Sequence, residues 1–445
     1  MLSVQLGDVV EDYRRIADAV AADIARGRLR PGERLAPQRT FARRHRIANS
    51  TAARVYGELV RRGLVTGEVG RGTFVRARTE EPAIAEPGGA PVDLQLNFPV
   101  LPEQSRMLAT SLTTILRPDV LADALQAGTV TATAPLRTAA ADLLARDGWQ
   151  PDPERILVTG NGKQAIAAAM AALVPVGGRL GVEALTYPVV KTIAARLGIT
   201  LVPLEMDSHG VLPDALRAAA VRAVYLQPAL HNPLGMTMPD DRRASVVAAI
   251  EAIDVPIIED GIYTFLCDET PLAALAPDRT VFIDSLSKRI APGLTLGFVV
   301  PPAGLADQLA AAIRGGGWTA PRFAVEVAAH HIADGTAAAI QLAKRADAAA
   351  RQRLVAERLA GFAVHADPAS YHCWWELPSP WRADTFVAAA ARHGIAITPA
   401  ASFATGTAQA PNAVRLALAS PPIETLSAAL EVLAGIARGT PELPG

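Results

Sequence analysis

The stretch SLSKRIAPGLTLG, residues 285–297, follows the apolar run TVFID and passes through a Pro-Gly turn. It sets one lysine, Lys288, among small hydroxyl residues. Lysine is scarce here: Lys163, Lys191, Lys288 and Lys344 stand against thirty-nine arginines. A scarce lysine at a strand-to-turn junction is a candidate for imine chemistry, although by itself it reads as an ordinary surface residue. Its neighbours along the chain decide between the two.

Upstream, TGNGKQAI (159–166) places Gly160 and Gly162 between a strand and a helix, where free N–H groups make a phosphate cup. EALTYP (183–188) offers Tyr187, a ring that stacks on a flat cofactor or, read alone, fills a core. HNPLG (231–235) holds Asn232 before a proline, ready to hydrogen-bond. IIEDGIYTF (257–265) puts Asp260 at a strand end and Tyr263 three residues on. A buried carboxylate there wants a cationic partner, and a pyridinium nitrogen serves. A phosphate cup, a stacking ring, two donors for a phenolate oxygen, a pyridinium partner and an imine-forming lysine suit pyridoxal 5'-phosphate.

Around these motifs, strand-like runs such as RILVTG, RLGVE, ITLVPLE, AVYLQP and PIIED alternate with alanine-rich helical segments. The alternation predicts a parallel α/β sheet with helices on both faces. The 445-residue chain is half apolar and carries a net charge of −1, so nothing global argues for nucleic acid. The distribution says more. Residues 1–78 hold sixteen arginines, no lysine and eight acidic residues, a balance of +8 that leaves about −9 elsewhere. Two cysteines, Cys267 and Cys373, far apart, exclude a disulfide framework and a cysteine zinc site. No apolar run approaches eighteen residues and the N-terminus lacks a signal-peptide pattern, so a cytoplasmic chain without a membrane partner is expected.

Within the basic segment, EDYRRIADAVAADIARG, QRTFARRHR and NSTAARVYGELVRRG read as three helices. Asn49 or Ser50 is able to cap the third, whose Ala52, Val55, Tyr56 and Leu59 face inward and whose Arg54, Arg61 and Arg62 face out. LVTGEVGRGTFV follows as a hairpin with Arg71 at its tip. The order is that of a winged helix-turn-helix, with the third helix in the major groove of double-stranded DNA. RARTEEPAIAEPGGAP (76–91) reads as an extended linker.

Residues 1–78 resemble the DNA-binding domain of GntR-family regulators, through the PGERL turn and the GRGTFV end. The resemblance implies DNA contacts from Arg39, Ser50, Thr51, Arg54, Arg71 and Gly72; Ala48 departs from the serine usual at the cap. HNPLG, EDGIY and SLSK together resemble the fold-type I aminotransferases, and the fusion resembles the MocR subfamily of bacterial regulators. The implied architecture is multidomain. It runs from a winged helix-turn-helix (1–78) through a linker (79–92) to an aminotransferase-like α/β domain (93–445) with a small C-terminal α/β subdomain. That domain would bind pyridoxal phosphate and an effector, and dimerise. Carried over by position, Lys288 forms the Schiff base, Asp260 pairs with the ring nitrogen, and Asn232 and Tyr263 hold the phenolate oxygen. Tyr187 stacks, Ser285 with Gly162 and Lys163 binds phosphate, and Arg415 in AVRLALAS grips an effector carboxylate.

Two departures stand out. Thr295 occupies the position of the arginine that usually clamps the phosphate, and QAGTVTATAPLR lacks the usual tyrosine from the second subunit. Losing one charge-assisted contact costs about 1.5–3 kcal/mol. Lys163 compensates or points to solvent, and Arg289 is a second candidate. The expected function is a DNA-binding transcription regulator, a homodimer on an operator with repeated half-sites, sensing a small amino compound by aldimine exchange. The rivals are an aminotransferase carrying a DNA-binding module, with partial turnover, and a regulator that senses pyridoxal phosphate itself.

Overall fold

The computed structural model describes residues 6–25, 28–29, 33–61, 64–68, 72–75, 89–146, 148–406 and 410–441. The chain divides into two units, each described by itself. The first contains α1 (Leu6–Ala25), α2 (Gln38–His45), α3 (Asn49–Arg61), β1 (Val65–Glu68) and β2 (Gly72–Val75). Its core joins Ala17, Val20 and Ile24 of α1 to Phe41 of α2 and to Ala52, Val55, Tyr56 and Leu59 of α3. The inward positions expected for α3 are therefore the buried ones. Tyr56 meets Phe41 edge-on, with ring centres 5.2 Å apart, and its hydroxyl donates to the Ala36 carbonyl.

The cap differs from expectation. Asn49 and Ser50 are the first residues of α3 rather than its cap. The Ala48 carbonyl accepts the Ala52 amide at 3.0 Å, so a residue without a side-chain acceptor holds the capping position. β1 and β2 pair antiparallel, Val65 opposite Val75 and Glu68 opposite Gly72. Gly72 has φ +126°, and a Cβ there would sit 2.5 Å from the Arg34 Nε. Only glycine fits this position.

In the second unit, α4 (Gln104–Ile115) precedes β3 (Leu157–Thr159), α5 (Gly162–Leu173), β4 (Arg179–Glu183), α6 (Pro188–Leu197), β5 (Thr200–Leu204) and β6 (Ala223–Leu226). Then come α7 (Asp240–Ile253), β7 (Ile257–Asp260), β8 (Thr280–Ser285), the short α8 (Leu286–Arg289) and β9 (Gly297–Val300). The seven strands form one sheet in the order β3-β9-β8-β7-β6-β4-β5. Val281 and Ile283 of β8 pack with Ile166 and Met170 of α5, whereas Phe282 between them faces a cluster on the other side. This period of two shows both faces covered.

The sheet is not wholly parallel: β9 runs antiparallel to both β8 and β3. Residues 286–296 between β8 and β9 are too few for a parallel crossover, which needs a dozen or more. The chain must turn back, and α8 with Lys288 sits on that return.

Helices α9 (Arg322–Ala333) and α10 (Thr336–Arg358) lead to a second sheet of β10 (Ala363–His365), β11 (His372–Glu376), β12 (Thr398–Pro399) and β13 (Ala413–Ala417). This sheet is antiparallel, in the order β10-β11-β13-β12, and α11 (Ile423–Arg438) follows it. Residues 92–94 join this region: Val92 and Asp93 pair with Ile395 and Ala396, and the Ala417 amide donates to the Leu94 carbonyl. Among the described residues, no helix is long and apolar enough to cross a membrane.

Candidate functional site

The chemistry-bearing residues of the second unit gather at the carboxyl ends of β3, β4, β6, β7 and β8. Open α/β sheets bind ligands at that edge. Lys288 lies in α8, directly beyond β8. Its Nζ donates to the Asn97 carbonyl and stands 3.8 Å over the Phe98 ring. Burial holds the ammonium well below the ordinary lysine value, and the charges of Arg415, Lys163 and Lys344 add to this against the opposing Asp260. An amine so placed gives up its proton more readily than a solvated lysine, which suits a nucleophile.

Asp260 ends β7 in full burial. One oxygen accepts the Tyr225 hydroxyl at 2.5 Å and the other the Ile262 amide at 3.0 Å. Burial pushes its carboxyl up to about 6, against the pull of these two donors. Tyr263 receives the Asn97 Nδ2 at 3.1 Å. Asn232 precedes a cis proline, and its Oδ1 accepts from Arg415 Nη1 at 3.4 Å. Tyr187 caps α6, half-buried, packed against the core on that face of the sheet. Burial raises its phenol, with the negative charges of Tyr263 and Asp260 adding.

Ser285 caps α8 with its Oγ accepting the Ser287 amide at 3.1 Å. The same oxygen lies 2.9 Å from the Ser287 Oγ and 3.2 Å from the Thr295 Oγ1, and Ser287 and Thr295 also bond each other. Three hydroxyls thus converge where the missing arginine left a small side chain. The first turn of α5 faces them: a Cβ on Gly162 would come 3.0 Å from the Ser285 Cβ. The first amides of α5 have no intrahelical acceptor, and the Asn161 side chain takes the Gln164 amide. Lys163 is exposed in this turn, with its charge near enough to act on Lys288.

Arg289 is not near this cradle in function. It is buried against Asp284, with its Nε 3.0 Å from the carboxylate, and its Nη1 donates to Gln341 at 2.7 Å. Among the described residues its bonds go to Asp284, Gln341 and Thr264 and none to the Ser285, Ser287 and Thr295 hydroxyls, so its contacts do not support the phosphate role. Arg415, in the middle of β13, is buried, and among the described residues no acidic partner lies in hydrogen-bond reach. It donates to the Gln95 carbonyl and to Thr398 at 3.1 Å, lies 5.3 Å from the Phe403 ring centre, and leaves Nε unpaired.

Three contributors escaped the sequence reading. Tyr225 lies inside β6, where an apolar run hides its hydroxyl. Asn97 and Phe98 arrive on the segment after the linker, and nothing in LNFP announces that it threads back to the sheet edge. In the first unit, Arg39 on α2 and Ser50 and Arg54 on α3 are exposed and Thr51 is half-buried. Gly72 opens β2, and Arg71 lies outside the described residues.

Comparison with known proteins shows the families and the fold. The family described as "Aminotransferase class I and II" matches residues 122–433, and "Bacterial regulatory proteins, gntR family" matches residues 12–75. The uncharacterised HTH-type transcriptional regulator YdeF of Bacillus subtilis is 28% identical over 95% of this chain and 93% of its own. The HTH-type pyridoxine biosynthesis transcriptional regulator PdxR of Corynebacterium glutamicum is 26% identical over 66% and 67%. Among solved structures, the multiple substrate aminotransferase of Thermococcus profundus superposes with a TM-score of 0.71 at 21% identity, over 82% of this chain and 95% of that one. The chain belongs to the aminotransferase class I and II family and carries a GntR-family domain ahead of it, the pairing of the MocR-type regulators.

Proposed function

We propose that this chain is a DNA-binding transcription regulator whose aminotransferase-like unit holds pyridoxal 5'-phosphate through Lys288 and senses an amino compound there. The observation that carries the reading is the buried Lys288 amine, its proton affinity lowered by burial and its Nζ bonded to the Asn97 carbonyl, on a chain whose N-terminal unit exposes Arg39 and Arg54 on neighbouring helices. The cradle of Gly162, Ser285, Ser287 and Thr295 suits a phosphate, with Lys163 supplying the positive charge. Asp260, with its carboxyl at about 6, is ionised at neutral pH, and among the described residues it has no cationic partner in bonding reach, which a pyridinium would provide. Asn232 and Tyr263 serve the phenolate oxygen, and Tyr187 the ring face.

Pyridoxal phosphate supplies an aldehyde that condenses reversibly with amines. The chain's own part is to lower the hold of Lys288 on its proton, orient the ring through Asp260, and offer Arg415 to a carboxylate on the incoming amine. Lys288 held by the cofactor would give up its bond to the Asn97 carbonyl, and Lys288 set free would resume it; the Asn97 segment also bonds Tyr263 and runs back to residues 92–94. Through that segment the state of the site reaches the part of the chain nearest the linker. A homodimer then presents two DNA-reading heads to a repeated operator. PdxR and TauR, regulators by name, are among the relatives.

An aminotransferase role is favoured by one observation, the joint presence of Lys288, Asp260 and Arg415; a phosphate cradle of hydroxyls without arginine favours sensing over turnover. The test is the visible absorption of the full chain titrated with pyridoxal phosphate, beside Lys288→Ala. A saturable band in the parent, absent in the variant and shifted by amino compounds, supports the reading. No band in the parent removes it.

A further inference from the structure

Lys344, the last of the chain's four lysines, lies wholly buried on α10. Its charge acts on Lys288, and its side chain also brings two hydrogen bonds to the turn that carries that residue.

The sequence of the turn creates the need for them. α8 is a single turn, so its last carbonyls depend on donors from elsewhere. The Ile290 amide serves the Leu286 carbonyl at 2.7 Å. The helical partner of the Lys288 carbonyl would be the amide of residue 292, but Pro292 has no N–H to give. Lys344 Nζ donates to the Lys288 carbonyl at 2.9 Å and to the Ile290 carbonyl at 2.5 Å. Gln104 on α4 shares the second of these at 2.8 Å. The first has Lys344 as its one donor among the described residues. Burial lowers the Lys344 ammonium to about 7, against the pull of Asp347. A neutral amine still has a hydrogen for each carbonyl, so the hold outlasts the charge.

Neighbours of Lys344 on α10 grip the same region. Gln341 accepts Arg289 Nη1 at 2.7 Å, and Arg345 Nε donates to the Phe265 carbonyl at 2.7 Å, just past Tyr263. One face of α10, at helical spacing, thus backs both the lysine turn and the turn after β7.

We propose that Lys344 is a positioning residue for Lys288, fixing by these two bonds the backbone from which the Lys288 amine reaches the sheet edge. The role rests on the reading of Lys288 as the cofactor's anchor.

Lys344→Met keeps the stem of the side chain and removes its nitrogen. Full-length parent and variant are titrated with pyridoxal phosphate, which engages Lys288, and with pyridoxamine phosphate. The second ligand shares ring and phosphate but has an amine in place of the aldehyde. The variant is expected to bind pyridoxal phosphate about tenfold more weakly, the worth of two hydrogen bonds, and pyridoxamine phosphate as the parent does. A merely structural lysine would weaken both alike. Equal weakening of the two ligands, or weakening of neither, overturns the proposal. Should Lys344→Met fail to fold, Lys344→Gln, whose amide stops one bond short of the lysine nitrogen, is expected to show the same split and is judged by the same results. A parent that gives no visible band with pyridoxal phosphate removes the anchor reading and this role with it, and the parent's own spectrum tells that failure from the others.

Discussion

Lys163 and His372 show how single residues set the behaviour of the site. With Thr295 in place of an arginine, Lys163 is the cation in the first turn of α5 whose charge acts on Lys288. Lys163→Ala should weaken pyridoxal phosphate by about one to two decades, the equivalent of about 1.5–3 kcal/mol. Equilibrium titration of parent and variant measures this; equal affinities would leave the hydroxyl cradle to hold the phosphate by itself. His372 is buried, with Nε2 2.9 Å from the His231 carbonyl, and burial drives its pKa down to about 3. In the unfolded chain it protonates at the ordinary value near 6.5. Between these values the unfolded state binds more protons, so stability is lost as pH falls through that window. Denaturation of the second unit near pH 7 and near pH 5 should differ by about 2 kcal/mol less in His372→Gln than in the parent.

At the scale of elements, α3 and α8 are short helices that present chemistry, and their starts differ. Ser285 caps α8 through its own hydroxyl, so the turn that carries Lys288 is fixed at its first residue. Ala48 gives α3 no such acceptor. Ala48→Ser should therefore stabilise the first unit by about 0.5–2 kcal/mol, read as a rise of its melting transition in the full chain. An unchanged transition would mean that the first turn of α3 is already satisfied. The capping difference was half legible: the departure at Ala48 stood in the sequence, but where the helix begins did not, because NST offers three adjacent polar residues and only backbone geometry chooses among them. The reversal of β9 was hidden for a similar reason. GFVV is apolar on both faces, as a buried strand of one direction or the other would be, and only the shortness of the return sets its sense.

For the whole molecule, motif order carried the reading further than periodicity did. Glycine and asparagine turns, EDGIY and SLSK each sit at a strand end, so the parts of the site that follow β3, β4, β6, β7 and β8 were visible as short signatures. Contributors that reach the site from within a strand or from distant chain were not. Tyr225 looks like any core residue of an apolar run, and Asn97 and Phe98 arrive only because residues 92–94 pair with the distant C-terminal region. Arg289 misled in the opposite way: its place beside Lys288 suggested phosphate, whereas Asp284, five residues back, had already claimed it. Proximity in sequence says little about which side of a turn a side chain takes.

The anchoring of the cofactor by Lys288 is the claim on which the rest depends, and the chain's four lysines make it directly testable. The full chain, incubated with pyridoxal phosphate, reduced with borohydride and digested, would be mapped by mass spectrometry. The account predicts the phosphopyridoxyl mass on the peptide containing Lys288, with Lys163, Lys191 and Lys344 unmodified. Modification at one of those three instead, or at none of the four, would contradict it.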